Sequence, residues 1–417
     1  MNPCELEIDL LCLGLRVDPS CTLERDARSF SRTRAGLGSG LELVIPGRRK
    51  DLWVNVPVAE HFAARSPWLL RRGPGGYEVR DGLTGETRPV RIPPEPAWYR
   101  ARTTRGTEMA RVGVLQGTYL GVYIESSCAF WEATPSLACR FCTTGINVGA
   151  AEESRKSVED VVETARAAKE RSGVTFVHLN SGFQGERDID GAGPFVKALK
   201  EQVGVLVGLQ MTPSRHLWKY RWLRDLGVDH LSFCFEFRNP EWFARLLPGK
   251  QKVFGQRAFL DTMAETARLF GPGRVSGEII AGIEPLEDTL RAIDEIVAVG
   301  AFPTVCVFRP TVGSAMADHP SPRPEEMRIV FRRVAEACRD AGMPIGIAPN
   351  IEVSLVVQPD DALDLLPAAD PRTWAYRARL GLMKMAARPW IRRSLRPRPV
   401  DAPAIPVPPA EVATATA

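Results

Sequence analysis

Six apolar segments alternate with amphipathic helical patterns between residues 109 and 341 of this 417-residue chain. Strict alternation of strands and helices predicts a parallel sheet with right-handed crossovers. Six units are two short of a full eight-fold barrel, so the pattern predicts an α/β fold with a partial (β/α)6 barrel of the TIM type. The strands are predicted at Tyr119–Glu125, Thr175–Asn180, Val205–Gln210, His230–Glu236, Ser276–Gly282 and Thr304–Arg309.

The segments on either side of the barrel differ from it in composition. Residues 1–108 contain short apolar pieces between Gly- and Pro-rich turns, which predicts a small N-terminal β-rich accessory domain. The barrel is predicted at 109–357 and a tail at 358–417. Nine basic and no acidic residues lie between Pro371 and Arg398, which indicates a basic helix. The Pro-rich composition after Pro397 is typical of disorder.

Net charge and hydropathy limit the partners and the compartment. The 54 basic and 50 acidic residues give a net charge of +4, too balanced to indicate a DNA partner. The N-terminus has no signal-peptide pattern and no segment approaches the length of a spanning helix, so we expect a cytoplasmic protein. The basic tail could contact an anionic membrane surface, RNA or an acidic partner. The favoured alternative is a helix packed on the core through Leu380, Leu382 and Met383.

Three of the nine cysteines, Cys128, Cys139 and Cys142, follow the first predicted strand. In a reducing compartment, clustered cysteines bind metal more often than they pair with each other. Structural zinc sites and ordinary iron–sulfur clusters take four protein ligands, so three thiolates leave one metal position open for chemistry. The alternatives are a zinc site completed by a distant histidine or cysteine, and a chance trio of thiols.

This Cx10CxxC motif, with Phe141 before its last cysteine, resembles that of the radical S-adenosylmethionine (radical SAM) superfamily, whose commonest spacing is Cx3CxxC. The resemblance covers roughly residues 109–350 and is nearest to the biotin synthase-like branch. It implies a 4Fe–4S cluster on Cys128, Cys139 and Cys142, with S-adenosylmethionine (SAM) on the open iron. It also implies reductive cleavage of SAM to a 5′-deoxyadenosyl radical that abstracts hydrogen from a substrate.

Other positions match cofactor-binding residues of the same family. Asn180-Ser181-Gly182 stands where the family's GGE-type motif holds the methionine amino group, and Glu186 lies four residues beyond the glycine. The alternative for this segment is an ordinary strand-to-helix turn. Glu236, at the end of the fourth strand, matches the polar residue that binds ribose hydroxyls. Its alternative role is an ion pair with Arg238.

The fifth and sixth strands also end in residues that match the family. The resemblance implies that Gly282 and Ile283 contact adenine, and the alternative is a buried strand followed by a turn. Arg309 would point into the barrel mouth. There it could bind a substrate carboxylate or phosphate, anchor the carboxylate of SAM, or neutralise an acidic neighbour. Gln210 and Arg215 have similar but weaker cases.

Several remaining cysteines and histidines have simpler interpretations. Cys234 and Cys306 fall inside predicted strands, where a free cysteine is usually a small buried apolar residue rather than a radical relay. His178 and His230 lie in strands, and a polar-network role is favoured over metal ligation. An auxiliary cluster on the three cysteines of residues 1–21 is the less favoured alternative.

The main functional hypothesis is a radical SAM enzyme that abstracts hydrogen from a small polar substrate, which would be anionic if Arg309 faces it. The family implies an external electron donor such as flavodoxin or ferredoxin. A second hypothesis is self-contained radical methyl or sulfur transfer, for which Cys234 or Cys306 could serve as the acceptor. A third is a non-catalytic zinc or iron–sulfur binding protein. The sequence does not identify catalytic side chains.

Overall fold

The computed structural model describes residues 2–22, 40–185 and 189–403. Glu186 and the end of the Pro-rich tail, from residue 404 onward, therefore lie outside the described residues. None of the described helices is long and apolar enough to cross a lipid bilayer.

In the part of residues 1–108 that the structure describes, two small sheets accompany an α-helix, which confirms the predicted β-rich character. The helix and strands are α1 (Pro3–Leu13), β1 (Arg16–Val17), β2 (Leu41–Ile45), β3 (Leu52–Val56), β4 (Trp68–Gly73), β5 (Gly76–Asp81) and β6 (Thr87–Val90). One sheet has the order β1-β4-β5-β6, and β2 pairs with β3 in the other. Helix α1, for which the sequence makes no prediction, begins at a capping box formed by Asn2 and Glu5.

The central sheet of the described chain has seven strands and curls into a half-barrel. The strands are β7 (Val114–Gln116), β8 (Tyr119–Tyr123), β9 (Phe176–Asn180), β10 (Leu206–Gln210), β11 (His230–Glu236), β12 (Val275–Ala281) and β13 (Phe302–Val307). Their order in the sheet is β13-β12-β11-β10-β9-β8-β7. All six predicted parallel strands are present, and β7 adds an antiparallel edge. The predicted α/β fold is confirmed.

Helices connect the parallel strands, as the alternation of patterns predicts. The α-helices described from residue 109 onward are α2 (Met109–Val112), α3 (Ala129–Glu132), α4 (Thr144–Asn147), α5 (Val158–Ser172), α6 (Gly193–Ala198), α7 (Leu217–Leu226), α8 (Pro240–Leu246), α9 (Pro248–Val253), α10 (Arg257–Phe270), α11 (Leu286–Ala298), α12 (Pro324–Asp340), α13 (Pro359–Ala362) and α14 (Pro371–Ser394). Helix α5 shows the local signals clearly: the Ser157 side chain caps its first turn, and Gly173 ends it in a left-handed conformation.

Residues 344–360, which we call the crossing segment, join the N-terminal region to the half-barrel. The amide of Thr118, in the turn between β7 and β8, donates to the carbonyl of Glu352 at 3.0 Å. The hydroxyl of Thr175, just before β9, donates to the carbonyl of Pro349 at 2.9 Å. The amide of Asn55 donates to Ser354. The segment therefore crosses the N-terminal ends of β8 and β9.

Helix α14 packs on the core less completely than the sequence predicts. Leu380 is buried and Met383 is half-buried, whereas the Leu382 side chain points to solvent and is 63% exposed. Beyond the helix, residues 398–403 stay on the barrel surface instead of leaving it. The amide of Arg398 donates to the carbonyl of Lys200 at 3.1 Å, and the Trp222 indole donates to Pro403 at 2.8 Å.

The fit between the β7–β8 turn and the crossing segment predicts a measurable loss of stability for Gly117→Ala. Gly117 has φ +78°, and a Cβ there would lie 2.1 Å from the Glu352 carbonyl oxygen. We expect the left-handed backbone to cost about 1–2 kcal/mol and the overlap to add about 1–3 kcal/mol. Urea unfolding measures the free-energy change.

Gly106→Ala is the matched control. Gly106 has φ +86°, and apart from its chain neighbours no atom of the described residues lies within 4 Å of the place that a Cβ would take. The control therefore carries the backbone cost without the overlap. Equal losses in the two variants would show that the crossing segment does not depend on the close approach at Gly117.

Candidate functional site

The three predicted ligands lie in the loop after β8, at the carboxyl end of the sheet, where α/β barrels carry their active sites. Cys128 precedes α3, and Cys139 and Cys142 precede α4. All three thiols are free and half-buried. Burial raises the pKa of the Cys139 thiol well above its ordinary value, and the nearby Cys142 and Cys128 raise it further. The three thiols are therefore within electrostatic reach of one another.

The insert of ten residues between Cys128 and Cys139 is anchored at Phe130 and Leu137, while residues 134–136 are exposed. The Phe130 ring stacks on Phe183 with centroids 4.4 Å apart. The amide of Gly249 donates to the carbonyl of Leu137 at 3.1 Å, and a Cβ at Gly249 would lie 2.5 Å from the Phe130 ring. The insert is thus held by the loop after β9 and by the start of α9.

Gly182 lies directly against the cysteine loop. Its amide donates to the Tyr123 hydroxyl at 2.9 Å. A Cβ at this position would lie 2.6 Å from Cys128 Cβ and 3.0 Å from its sulfur. Only glycine fits here, so the segment has a stricter requirement than an ordinary turn. The hydroxyl of the preceding Ser181 donates to the Gly182 carbonyl at 2.7 Å.

Asn180, at the end of β9, has a buried polar atom that is unsatisfied. The residue is only 6% exposed, and its Oδ1 has no hydrogen-bond partner among the described residues. An unpaired buried acceptor is costly, so such an atom indicates a position where a donor from a ligand would fit.

Glu236 ends β11 in a left-handed conformation, with φ +64°, and forms a buried ion pair with Lys250. Lys250 Nζ also donates to the carbonyl of Cys234 at 3.0 Å. Burial raises the pKa of the Glu236 carboxyl, and Lys250 opposes this rise. The alternative pair of Glu236 with Arg238 does not form, because Arg238 contacts acidic residues of α11. No sequence signal points to Lys250.

The predicted adenine-contacting residues have protein neighbours. Gly282 has φ +98°, and a Cβ there would lie 2.4 Å from the ring of Pro322. The close approach that its glycine permits is therefore to Pro322. Ile283 is half-buried against the core, and Phe141 packs edge-on against Phe237 with centroids 6.1 Å apart. The contact of Gly282 and Ile283 with adenine stays a prediction, as does a cofactor-binding role for Phe141.

Arg309 turns towards the N-terminal region. Its guanidinium donates to the backbone oxygen of Asn55 at 2.6 Å and to Asn55 Oδ1 at 3.1 Å, and it lies 4.0 Å from the Glu60 carboxylate. Of the three roles that the sequence leaves open, these contacts match neutralisation of an acidic neighbour. Arg215 lies further out and donates to the carbonyl of Val253 at 2.6 Å.

The half-barrel encloses a cavity of about 710 Å³. Asn180 and Gln210 line it near the carboxyl ends of the strands, the end that carries the cysteine loop. Residues of the crossing segment and of α14, among them Trp390, line it elsewhere. The cavity is in the size range of small-molecule binding sites.

A chain of hydrogen bonds runs along the cavity wall. His230 Nε2 is 3.1 Å from the hydroxyl of Ser276, which donates to Ser232 at 3.1 Å. The Ser232 hydroxyl and the Gln210 amide both donate to the Glu278 carboxyl. These contacts confirm the predicted polar-network role of His230. The same contacts give Gln210 a structural role. Glu278 accepts hydrogen bonds from both Ser232 and Gln210 and is the centre of this network, although the sequence does not single it out.

Cys234, Cys306 and His178 also line or adjoin the cavity, and they differ in their hydrogen-bond partners. Cys234 donates its thiol to Glu278 at 3.4 Å, and Cys306 is buried on the cavity wall. The His178 Nε2 atom is buried, and nothing in the described ranges hydrogen-bonds to it. Burial lowers the pKa of His178 to about 3, so its imidazole is neutral at physiological pH. Burial also raises the pKa of Glu278, against the hydrogen bonds that it accepts.

The donor set after β8 fits an iron–sulfur cluster. Across residues 2–22, 40–185 and 189–403, no three Cys, His, Asp or Glu side chains converge on the position of a single ion. A cubane cluster does not need such convergence, because each thiolate binds a different iron atom. Three neighbouring thiols, with the side-chain-free Gly182 beside Cys128, match the ligand type that such clusters use.

The buried ion pair between Glu236 and Lys250 predicts a large loss of folding stability for Lys250→Met. Removing the ammonium leaves the Glu236 carboxyl buried without its partner, which typically costs about 3–5 kcal/mol. Lys252→Met, two residues further along α9, is the matched control because Lys252 is exposed, and we expect a change within about 0.5 kcal/mol. Urea unfolding of both variants measures the difference, and equal values would contradict the structural role of the pair.

No family model matches the chain. Among curated proteins it is similar to bacteriochlorophyllide c C-7(1)-hydroxylase of Chlorobaculum limnaeum. The two are 24% identical over 339 residues, which span 74% of this chain and 79% of that protein.

Three solved structures are also similar to the chain. A radical SAM methyltransferase from Sphaerobacter thermophilus is 14% identical, with a TM-score of 0.41 over 67% of this chain and 76% of that one. The FeFe-hydrogenase maturase HydG is 16% identical, with a TM-score of 0.39 over 53% of this chain and 48% of that one. Coproporphyrinogen III oxidase (HemN) from Escherichia coli, described as a radical SAM enzyme, is 17% identical, with a TM-score of 0.35 over 49% and 48%.

The chain spans about half the length of HydG and of HemN. These likenesses are distant, with identities of 14–17% and TM-scores of 0.35–0.41.

Proposed function

We propose that this chain is a radical SAM enzyme in which Cys128, Cys139 and Cys142 hold a 4Fe–4S cluster. The observation that carries the proposal is the grouping of three free thiols at the carboxyl end of the first parallel strand, with no room for a side chain at Gly182 beside them. When bound, the cluster and SAM supply a 5′-deoxyadenosyl radical that takes a hydrogen atom from the substrate. The electron comes from a donor such as flavodoxin or ferredoxin.

Three residues of the chain would hold SAM, position the cysteine loop and supply positive charge near the thiols. Asn180 Oδ1 is a buried acceptor that the described residues leave unsatisfied, and it would accept a hydrogen bond from the methionine ammonium of SAM. Tyr123 holds the backbone of Gly182 beside Cys128. Lys250 places a buried positive charge near Cys139 and opposes the rise that burial causes in the pKa of the Cys139 thiol.

The substrate is a small molecule held in the cavity of the half-barrel. The expectation of an anionic substrate at the mouth depended on Arg309, whose guanidinium instead contacts Asn55 and Glu60. The curated relative is named as a hydroxylase that acts at C-7(1) of bacteriochlorophyllide c. Hydroxylation at carbon replaces a C–H bond with a C–O bond. This similarity therefore supports hydrogen abstraction from the substrate over the second hypothesis, in which Cys234 or Cys306 accepts a methyl group or sulfur.

The decisive test is cleavage of SAM by anaerobically reconstituted protein with dithionite. We expect the wild type to bind four irons per chain and to form 5′-deoxyadenosine. The triple variant Cys128→Ala/Cys139→Ala/Cys142→Ala should lose both properties, because it lacks every proposed iron ligand. Cys338→Ala is the matched control, since Cys338 is buried in α12 far along the chain from the loop.

The two main outcomes separate the functional classes. A wild type that binds iron but forms no 5′-deoxyadenosine would contradict the enzyme and favour a cluster-binding protein. A triple variant that keeps its iron would contradict the assignment of the ligands.

The unpaired amide oxygen predicts a specific effect of Asn180→Leu. Losing a hydrogen bond to a charged ammonium group should weaken SAM binding about tenfold or more. Unfolding stability should not fall, because Oδ1 makes no hydrogen bond within the described part of the protein. Equilibrium binding of SAM to the reconstituted protein and urea unfolding measure the two effects. Unchanged binding would remove Asn180 from the SAM site.

A further inference from the structure

We propose that the cavity binds a largely apolar, aromatic small molecule with one anionic group, and that this group lies at Arg274. The inference rests on the proposed function, because it names the substrate class of the same site. Arg274 lies just before β12, at the end of the cavity opposite Asn180 and the cysteine loop. The ligand would therefore extend along the cavity, with its apolar body between the two ends.

Aromatic rings from four strands line the body of the cavity. Phe176 stacks on His178 with centroids 5.5 Å apart, and Tyr119 lies 5.9 Å from Phe176. The row of rings continues through His230, whose centroid lies 6.2 Å from that of His178 and 5.6 Å from that of Phe302. Aromatic side chains bury much apolar area with fixed geometry, so this wall suits a flat apolar or conjugated ligand.

The two imidazoles of this wall are uncharged hydrogen-bonding groups. Burial lowers the pKa of His178 to about 3 and that of His230 to about 4, so both rings are neutral. His230 is bonded to Ser276, whereas His178 Nε2 is buried without a partner among the described residues. A neutral polar group on the ligand would satisfy that atom. Two neutral imidazoles do not compensate a buried negative charge, so the anionic group belongs elsewhere.

Arg274 is the one arginine or lysine among the described residues that line the cavity. It is half-buried, and its guanidinium carbon lies 4.6 Å from the centre of the Trp390 ring of α14. It makes no ion pair within the described part of the chain. The neighbouring Asp229 is paired with Lys200 and accepts the amide of Val207 at 2.7 Å. Arg274 is therefore available to bind an anion, and its fork of donors suits a carboxylate or a sulfonate.

Two fluorescent probes test this inference because they share one ring system. 8-Anilinonaphthalene-1-sulfonate has an aromatic body with one sulfonate, and N-phenyl-1-naphthylamine has the same body without it. Each is titrated into full-length, anaerobically reconstituted protein. We expect both to bind saturably, and we expect Arg274→Gln to weaken the sulfonate probe about tenfold, while the neutral probe changes less than about twofold.

Matched variants locate the site and control for surface charge. Thr304→Phe, which places a ring in the cavity, should weaken both probes. Ala387→Trp narrows the cavity from α14 and serves the same purpose if Thr304→Phe does not fold. Arg257→Gln removes an exposed cation that pairs with Asp261 on α10, and it should leave both affinities unchanged. Circular dichroism and the unfolding midpoint establish that each variant is folded.

Two outcomes would overturn the inference. Sulfonate binding that survives Arg274→Gln would refute the anionic group at Arg274. Probe binding that survives both Thr304→Phe and Ala387→Trp would refute the cavity as the site. Formation of 5′-deoxyadenosine, measured on the same preparations, reports on the proposed function separately, because probe binding does not depend on cleavage of SAM.

Discussion

The contact between Gly182 and Cys128 joins two successive strand–helix units at the carboxyl end of the half-barrel. Strand β8 ends at Tyr123, whose hydroxyl accepts the Gly182 amide, and β9 ends two residues before that glycine. The pairing of β8 with β9 therefore determines where the cysteine loop begins. The insert packs on Phe183, the residue after the glycine, and on Gly249 of α9, so the loop is held from both sides.

Buried charge is distributed unevenly around the cavity. Lys250 is paired with Glu236, and Arg309 is held by Asn55, so neither cation is available to a ligand. Desolvating a charge is costly, and partners of this kind are what make it tolerable inside a protein. Arg274, which stacks on an aromatic ring, is the exception on the described cavity wall. Of the carboxyl groups on the described wall, Asp229 and Asp360 are paired with lysines, and Glu278 accepts hydrogen bonds. Arg274 is therefore the position on this wall that suits an anionic group.

Local patterns predicted the elements well where one face of an element is buried. Helix α5 follows its cap at Ser157, and the six parallel strands lie where their apolar runs indicate. Helix α1 was not predicted from the sequence. It is buried on nearly every side, so its apolar residues show no amphipathic period. In α14, Leu382 is apolar but exposed, because the adjacent Leu380 and Met383 already face the core. Apolar character alone does not specify which side of such a helix is covered.

The sequence by itself determined the order of strands and helices and the three-cysteine loop, because both depend on short-range periodicity and residue spacing. Only the tertiary structure decided that Lys250 lies beside Cys139, that Gly282 meets Pro322, and that Arg309 turns to Asn55. The physical reason is distance along the chain. A contact between residues on different strand–helix units is set by how the sheet curls and by which segments cover it, and neither partner carries a local signal of the other.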